Sequence, residues 1–335
     1  MTAWKRMRYR LEWLGLVAAL QLVPLLPRVA CDRLARIAGS LAARLDRRGR
    51  GVAQANLESA FGARFSPEQR KAMVRASYQH FAGTMLALFW SPRLTPDNFR
   101  RYIELEGFEQ LYADIGPGGS CIFGAFHYGN FEWLSLAVGW IGFTSSIATE
   151  EFKNPLLRGF FEKLRDQSGH RAVPRAGAII RLYKTLRKGG RVALLADTTL
   201  PAHHPTVVIE CFGRKTMITV SHAWLQERTG APLIPFHMEA LGGGRYRIVA
   251  HPKVEVRPGA THQEIAQACW DSFEPVVREN PAPWMWMYKH WRYKPAGASG
   301  YPFYAQESWA FDDIASHANY AKLDRSLGPA ARNAA

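Results

Sequence analysis

The chain has 335 residues, 47% of them hydrophobic and 21% charged, which is enough apolar material for a sizeable core and excludes a disordered chain. Lys and Arg outnumber Asp and Glu by 43 to 28, a net charge of +15 that suits anionic partners: nucleic acid, an anionic lipid surface or an acidic substrate. The four cysteines (Cys31, Cys121, Cys211, Cys269) are far apart in sequence, so zinc spacing and a CxxC redox motif are both excluded.

Residues 1–50 hold eleven Lys/Arg against three acids, about half of the whole excess. These charges flank the apolar run Trp13 to Pro27. At fifteen residues, with Gln21 and Pro24 inside it, the run is short of the roughly 20 residues a membrane span needs. A signal peptide lacks an obvious cleavage site here. Two readings remain open: an uncleaved anchor or interfacial helix, and a buried core helix.

Residues 30–60 read as helical and basic. Ser66, Pro67 and Gln69 form a capping box that opens a helix. Met73, Ser77, Phe81 and Met85 recur at spacing four along it. Tyr102 to Glu106 alternates as a strand, and Phe108 to Asp114 reads as a helix. Cys121 to Phe126 has the continuous apolar character of a strand buried on both faces. A helix is expected from Phe131 to Val138, and further helices over Pro155 to Arg165 and Ala176 to Lys188. Arg191 to Ala196 is a second buried strand, and it delivers Asp197 at its end. Thr219 to Arg228 reads as a helix. Pro232–Leu241 and Arg245–Val256 read as strands of a hairpin at a sheet edge, joined by Gly242-Gly243-Gly244. Thr261 and Glu264 cap a helix running towards Arg278. Strands alternating with helices predict an α/β domain around a largely parallel sheet. The chain divides into N-terminal interfacial helices (1–50), one α/β domain (51–299) and a poorly patterned tail (300–335).

Chemistry concentrates in Gly124-Ala-Phe-His127-Tyr-Gly129-Asn130-Phe-Glu132-Trp. His127 lies just past a buried strand, and Glu132 lies in the first turn of the next helix. Sites in open α/β sheets gather beyond the carboxyl ends of strands. A bend at Gly129 lets the carboxylate fold back onto one imidazole nitrogen and leaves the other free as a general base. The H-x4-[DE] spacing by itself is weak, since about one match is expected by chance in this composition. A second match, His222 with Glu227, falls inside a helix, where five residues turn about 140° further round the axis, so it reads as structural. Asp197 suits either a cap or a site residue on the sheet edge that carries His127. Pro283 to Lys294 interleaves tryptophans with cations. It could bind nucleic acid, form an interfacial belt, or be a strand packed inward with its cations towards an acidic ligand. The alternation of Trp284, Trp286 and Tyr288 favours the last, with some of the second.

With these residues in view, Gly116 to Trp133 resembles the H-x4-[DE] block of the lipid A biosynthesis lauroyl/myristoyl acyltransferases, a branch of the lysophospholipid acyltransferase superfamily with a glycerol-3-phosphate acyltransferase-like fold. The likeness continues in order through residues 52–62 and 66–110, Asn154 to Gly169, Leu195-Ala196-Asp197, Phe212-Gly213, Thr229 to Pro235, and Pro283 to Lys294. The resemblance implies that His127 and Glu132 are catalytic, and that Arg165, Asp197, Asn130 and Gly129 bind substrate. It implies an acyl carrier protein or coenzyme A thioester as donor, a lipid hydroxyl as acceptor, no metal or other cofactor, and the cytoplasmic face of a bacterial inner membrane. Nucleic acid is not an expected partner. Thr198-Thr199 stand where the family usually has glutamine, which motivates a different glycolipid or aminolipid acceptor as an alternative. A non-enzymatic basic module that binds membranes or nucleic acid is the rival from another class.

Overall fold

The computed structural model describes residues 3–116, 118–149, 154, 156, 159, 166–174, 177–201 and 204–313. Four helices lead the chain: α1 (Ala3–Leu22), α2 (Arg28–Leu45), α3 (Arg47–Phe61) and α4 (Pro67–Trp90). The capping box that opens α4 is formed: Gln69 N–H donates to Ser66 Oγ at 3.2 Å, and Ser66 N–H donates to Gln69 Oε1 at 2.8 Å. The α/β body follows, with β1 (Ile103–Glu106), α5 (Phe108–Ile115), β2 (Cys121–Ala125), α6 (Phe131–Trp140), β3 (Ser146–Thr149), β4 (Arg171–Pro174), α7 (Ala178–Arg187) and β5 (Arg191–Leu195). Then come β6 (Thr206–Cys211), β7 (Arg214–Thr219), α8 (Ser221–Thr229), β8 (Leu233–Gly242), β9 (Arg245–Ala250), α9 (His262–Asp271) and α10 (Glu274–Glu279). Two short strands, β10 (Tyr293–Lys294) and β11 (Gln306–Glu307), and α11 (Ala310–Asp313) complete the described chain. The helix expected over 155–165 falls almost wholly outside the described residues, and so does Arg165.

The central sheet has seven strands in the order β1-β9-β8-β2-β5-β3-β4. Pairing is parallel throughout except between β8 and β9, so β1 and β9 run against the other five. The β8–β9 hairpin is therefore not at the edge: β8 pairs with β2 on its far side, and β1 closes the sheet beyond β9. Strand alternation divides the core between the two faces. Ile122, Val192 and Leu233 point to one side, with Leu182 of α7, Trp224 of α8 and Ile265 of α9. Phe123, Ile234 and Phe236 point to the other, with Trp90 of α4, Leu111 of α5 and Trp133 of α6. Burial on both faces explains the unbroken apolar run of β2, whereas β5 is buried on one face and half-buried on the other.

Three further regions differ from the sequence reading. The stretch 206–219 is an antiparallel hairpin of its own, β6 with β7. Residues 283–292 form no strand but a string of tight turns, with Trp284, Trp286 and Trp291 sealed at 1% exposure or less. Stacking on bases is thereby closed to these rings. Asn56 holds the segment by donating to the carbonyls of Trp286 (2.8 Å) and Tyr288 (2.7 Å), and Ser77 Oγ donates to the carbonyl of Trp284 at 2.6 Å. Residues 301–313, read from sequence as part of the tail, pack on the body. Tyr304 donates to Asn56 Oδ1, and Ala310 and Phe311 bury against Val208 and Met217.

The N-terminal helices dock in an unusual way. Helix α2 faces α4 with its small residues, Cys31, Ala35, Gly39 and Ala43, spaced four apart on one stripe. At Gly39 a Cβ would lie 2.5 Å from Gln79 Cα, so the two backbones meet directly. The large apolar side chains of α2 point away from the body: Ile37 is 66% exposed and Leu45 69%, and Leu34 and Leu41 are exposed as well. On α1, Trp4, Met7, Leu11 and Leu14 are exposed as well. Among the described residues no helix is long and apolar enough to cross a membrane.

Candidate active site

Strands β2 and β5 lie side by side in parallel register, with Ala125 opposite Leu195. The ladder continues one step further, where Ala196 N–H donates to the carbonyl of Ala125 at 2.8 Å. The two chains then leave the sheet together. His127 and Asp197, each two residues past its strand, become neighbours although seventy positions separate them. His127 Nδ1 lies 2.8 Å from Asp197 Oδ1, and the His127 backbone N–H donates to Asp197 Oδ2 at 3.0 Å. The sequence reading had placed Glu132 on one of the two imidazole nitrogens. The carboxylate on Nδ1 is Asp197, because the register of two central strands brings it there.

Asp197 is 3% exposed and its oxygens are well matched. Trp284 Nε1–H donates to Oδ2 at 3.1 Å, beside the His127 backbone bond. Beneath Trp284, the His290 ring stacks at 3.7 Å, and its Nε2 donates to the carbonyl of Met285 at 3.0 Å. Burial lowers the His290 pKa to about 4, so this ring is neutral. The Trp-rich segment is thus the floor of the site. It is tied to the loop that carries His127 by Met285 N–H to the His127 carbonyl (3.2 Å) and Gly129 N–H to the Pro283 carbonyl (3.2 Å).

Electrostatics couples the pair. Burial alone would depress the His127 pKa, but the charge and hydrogen bond of Asp197 outweigh it, with a smaller contribution from Glu132, and the net shift is upward. For Asp197, burial raises the pKa and the neighbouring imidazole reverses this, leaving the carboxyl at about 2. With Asp197 ionised, a neutral His127 carries its proton on Nδ1 and presents Nε2 as a base.

Glu132 stands at the second position of α6, where a carboxylate suits the helix dipole, and it is 7% exposed. Gly129 and Asn130 shape the bend. Gly129 has φ +58°, and a Cβ there would fall 1.8 Å from the Met238 carbonyl oxygen. Asn130 caps α6, its Oδ1 accepting from Trp133 N–H at 3.2 Å, and it is 1% exposed. Neither residue is among those lining the two cavities described next. His222 is fully buried in α8 and does not meet Glu227, which pairs instead with His262 (3.5 Å) and Arg228 (3.2 Å).

His127 sits where two cavities meet. One, of about 360 Å³, runs between the sheet and α6 and is walled by Phe123, Phe131, Leu134, Val138, Ile147 and Phe236, with Glu132 near His127. The other, of about 870 Å³, opens on the α7 side past Thr198, Ser221, Tyr288 and Arg292. Both are lined by Ala148, Thr149, Leu194 and Leu195. These four residues lie just where the β3–β5 pairing stops, after only two pairs, Ser146 with Val192 and Ile147 with Ala193. A gap between strands at their carboxyl ends joins the two faces beside the imidazole.

Sequence reasoning placed His127 and Glu132 on this rim and put Asp197 on the same edge. It missed that Asp197 orients His127, and that Trp284 and His290 support Asp197. The shared signal was available in outline: two buried strands, each followed at the same offset by a polar residue.

A histidine between an apolar cavity and a wider one suits transfer of an acyl chain, and comparison with known proteins agrees. No curated protein matches the chain. A family model described as bacterial lipid A biosynthesis acyltransferase matches residues 2–293. The chain therefore belongs to the bacterial lipid A biosynthesis acyltransferase family, and is an enzyme that transfers an acyl group to a lipid A precursor.

Proposed function

We propose that His127 is the general base for transfer of a fatty acyl chain from an acyl carrier protein or coenzyme A thioester to a hydroxyl of the lipid A precursor. Asp197 fixes the Nδ1–H tautomer and stabilises the imidazolium that forms. Nε2 takes the hydroxyl proton, the oxygen attacks the thioester carbonyl carbon, the C–S bond breaks, and the imidazolium returns the proton to the departing thiolate. Glu132 adds negative potential to the same imidazole. The acyl chain occupies the narrow apolar cavity beside α6, and the bulkier acceptor occupies the wider one. The observation that carries this reading is the placement of His127, bonded to Asp197 and bordering both cavities.

The exposed apolar faces of α1 and α2, together with their cations, fit a surface that dips into an anionic leaflet from the cytoplasmic side of the inner membrane. Burying the large side chains of α2 in lipid explains why its small residues, not its large ones, face the protein.

The test is transfer activity of purified His127→Ala and His127→Gln with defined donor and acceptor, read by mass spectrometry of the lipid product. Both variants should lose about 10³-fold or more in kcat at unchanged thermal midpoint, as loss of a general base requires. Near-normal turnover would remove His127 from the chemistry.

A further inference from the structure

The two cavities that share His127 differ in charge. Among the described residues that line the wide cavity there is no acid, and Arg292 is the one Lys or Arg. Arg292 is half-buried. Among the described residues its guanidinium has no carboxylate within 4.0 Å and no hydrogen-bond partner, whereas the neighbouring cations are occupied. Lys289 lies over the Tyr304 ring at 5.0 Å, and Lys294 is bound to Glu307 at 3.3 Å and to the Ala298 carbonyl at 2.8 Å. Arg292 is fixed from behind: Gln306 N–H donates to its carbonyl at 3.0 Å, and Trp291 beside it is fully buried. A planar fork held on a rigid turn, facing a cavity with no acid among its described lining residues, is set up for a bidentate oxyanion.

We infer that Arg292 is the anchor for a phosphate ester of one of the two substrates, held in the wide cavity while the reacting oxygen or carbonyl reaches His127. The inference rests on the proposed placement of substrates around His127. The described lining of the narrow cavity is mainly apolar, with Glu132 the one Asp, Glu, Lys or Arg in it, so it suits an acyl chain better than a phosphate. The hydroxyls of Thr198 and Ser221 lie on the same wide cavity and can complete the ligation. Arg292 acts by binding and takes no part in proton transfer, so its loss weakens affinity and leaves turnover at saturation intact.

The experiment measures KM separately for donor and acceptor in Arg292→Gln and Arg292→Lys, with the lipid A precursor used intact and after phosphatase treatment. Arg292→Gln should raise one KM about ten- to hundredfold with kcat within a factor of three. Arg292→Lys should recover part of that loss. If the acceptor supplies the phosphate, the phosphatase-treated lipid will bind wild type and variant equally. If the donor supplies it, the donor KM will rise and both acceptor forms will behave as in wild type. Unchanged KM for both substrates, in variants whose thermal midpoint matches wild type, overturns the inference. That outcome leaves the His127 assignment standing, because His127 is tested through kcat.

Discussion

Replacing Asp197 with asparagine isolates its contact with His127, the proposed base. The two oxygens of Asp197 do different things: Oδ1 faces His127 Nδ1, and Oδ2 accepts from both the His127 backbone N–H and Trp284 Nε1–H. An amide oriented with its NH₂ at the Oδ2 position would face two donors and forfeit two hydrogen bonds, about 1 kcal/mol each before any desolvation cost. The favoured orientation puts the amide oxygen there and turns the NH₂ towards Nδ1. Nδ1 must then give up its proton, and the neutral ring carries it on Nε2, the nitrogen that has to accept. A wrong tautomer of this kind costs about 10⁴-fold in kcat in a comparable His–Asp couple, or about 5.5 kcal/mol. The substitution also removes an attraction of about 6 kcal/mol gross for charges 2.8 Å apart at an effective dielectric near 20, most of which burial offsets in the native site. The sign in the pH profile follows. The wild-type acidic limb of kcat/KM, where His127 must lose its proton, lies above 6.5 because the pKa is raised. In Asp197→Asn burial acts unopposed by that charge, so the residual activity has its acidic limb at lower pH. The assay is the pH dependence of kcat/KM with defined thioester and lipid. Activity within tenfold of wild type and an unmoved acidic limb would refute this account and give the orienting role to another group, Glu132 first.

Trp284→Phe removes a donor to Asp197 while keeping an aromatic ring, and kcat should fall about tenfold with little change in KM. A variant whose loss lies wholly in KM would show that the indole serves binding instead. Gly129→Ala must place a methyl group against the Met238 carbonyl at φ +58°, so urea denaturation should show at least about 2 kcal/mol of lost stability; a neutral result would mean that the bend relaxes freely. Ile37→Asp with Leu41→Asp should abolish co-sedimentation with anionic vesicles while sparing the fold, since neither side chain contributes to the core. Retained binding would move the lipid surface elsewhere. Asp197, with its pKa depressed from 3.8 to about 2, contributes stability that is present above 3.8 and lost as pH falls through about 2. The acid limb of the wild-type denaturation midpoint should therefore be steeper there than that of Asp197→Asn, and coincident limbs would contradict the coupling.

Much of the scaffold was legible because its signals are local. The capping boxes at Ser66 and Thr261, the apolar runs of β2 and β5, and the glycine bend at 129 are each written in a few adjacent residues, and each is formed. What escaped depends on partners distant in sequence. Trp284, Trp286 and Tyr288 alternate as in a strand, but hydrogen bonds from Asn56 and Ser77 and the stack with His290 hold the segment in turns. The β6–β7 hairpin carries little alternation because most of its residues are buried. The site followed the same rule. Pairing His127 with Glu132 used proximity in the chain, whereas the β2–β5 register delivered Asp197 to the imidazole and left Glu132 lining the cavity wall. The exposed apolar face of α2 was hidden for a related reason, since only the approach of α4 at Gly39 decides which side of the helix is inside.

The tautomer of His127 can be observed directly by ¹⁵N NMR on enzyme labelled at histidine, titrated through neutral pH, with His127→Gln used to assign the signal. The account predicts a protonation midpoint above 6.5. Above that midpoint Nδ1 should hold the proton with Nε2 bare, and this pattern should be inverted by Asp197→Asn. A neutral imidazole protonated on Nε2 in the wild-type protein would contradict the assignment of His127 as the base.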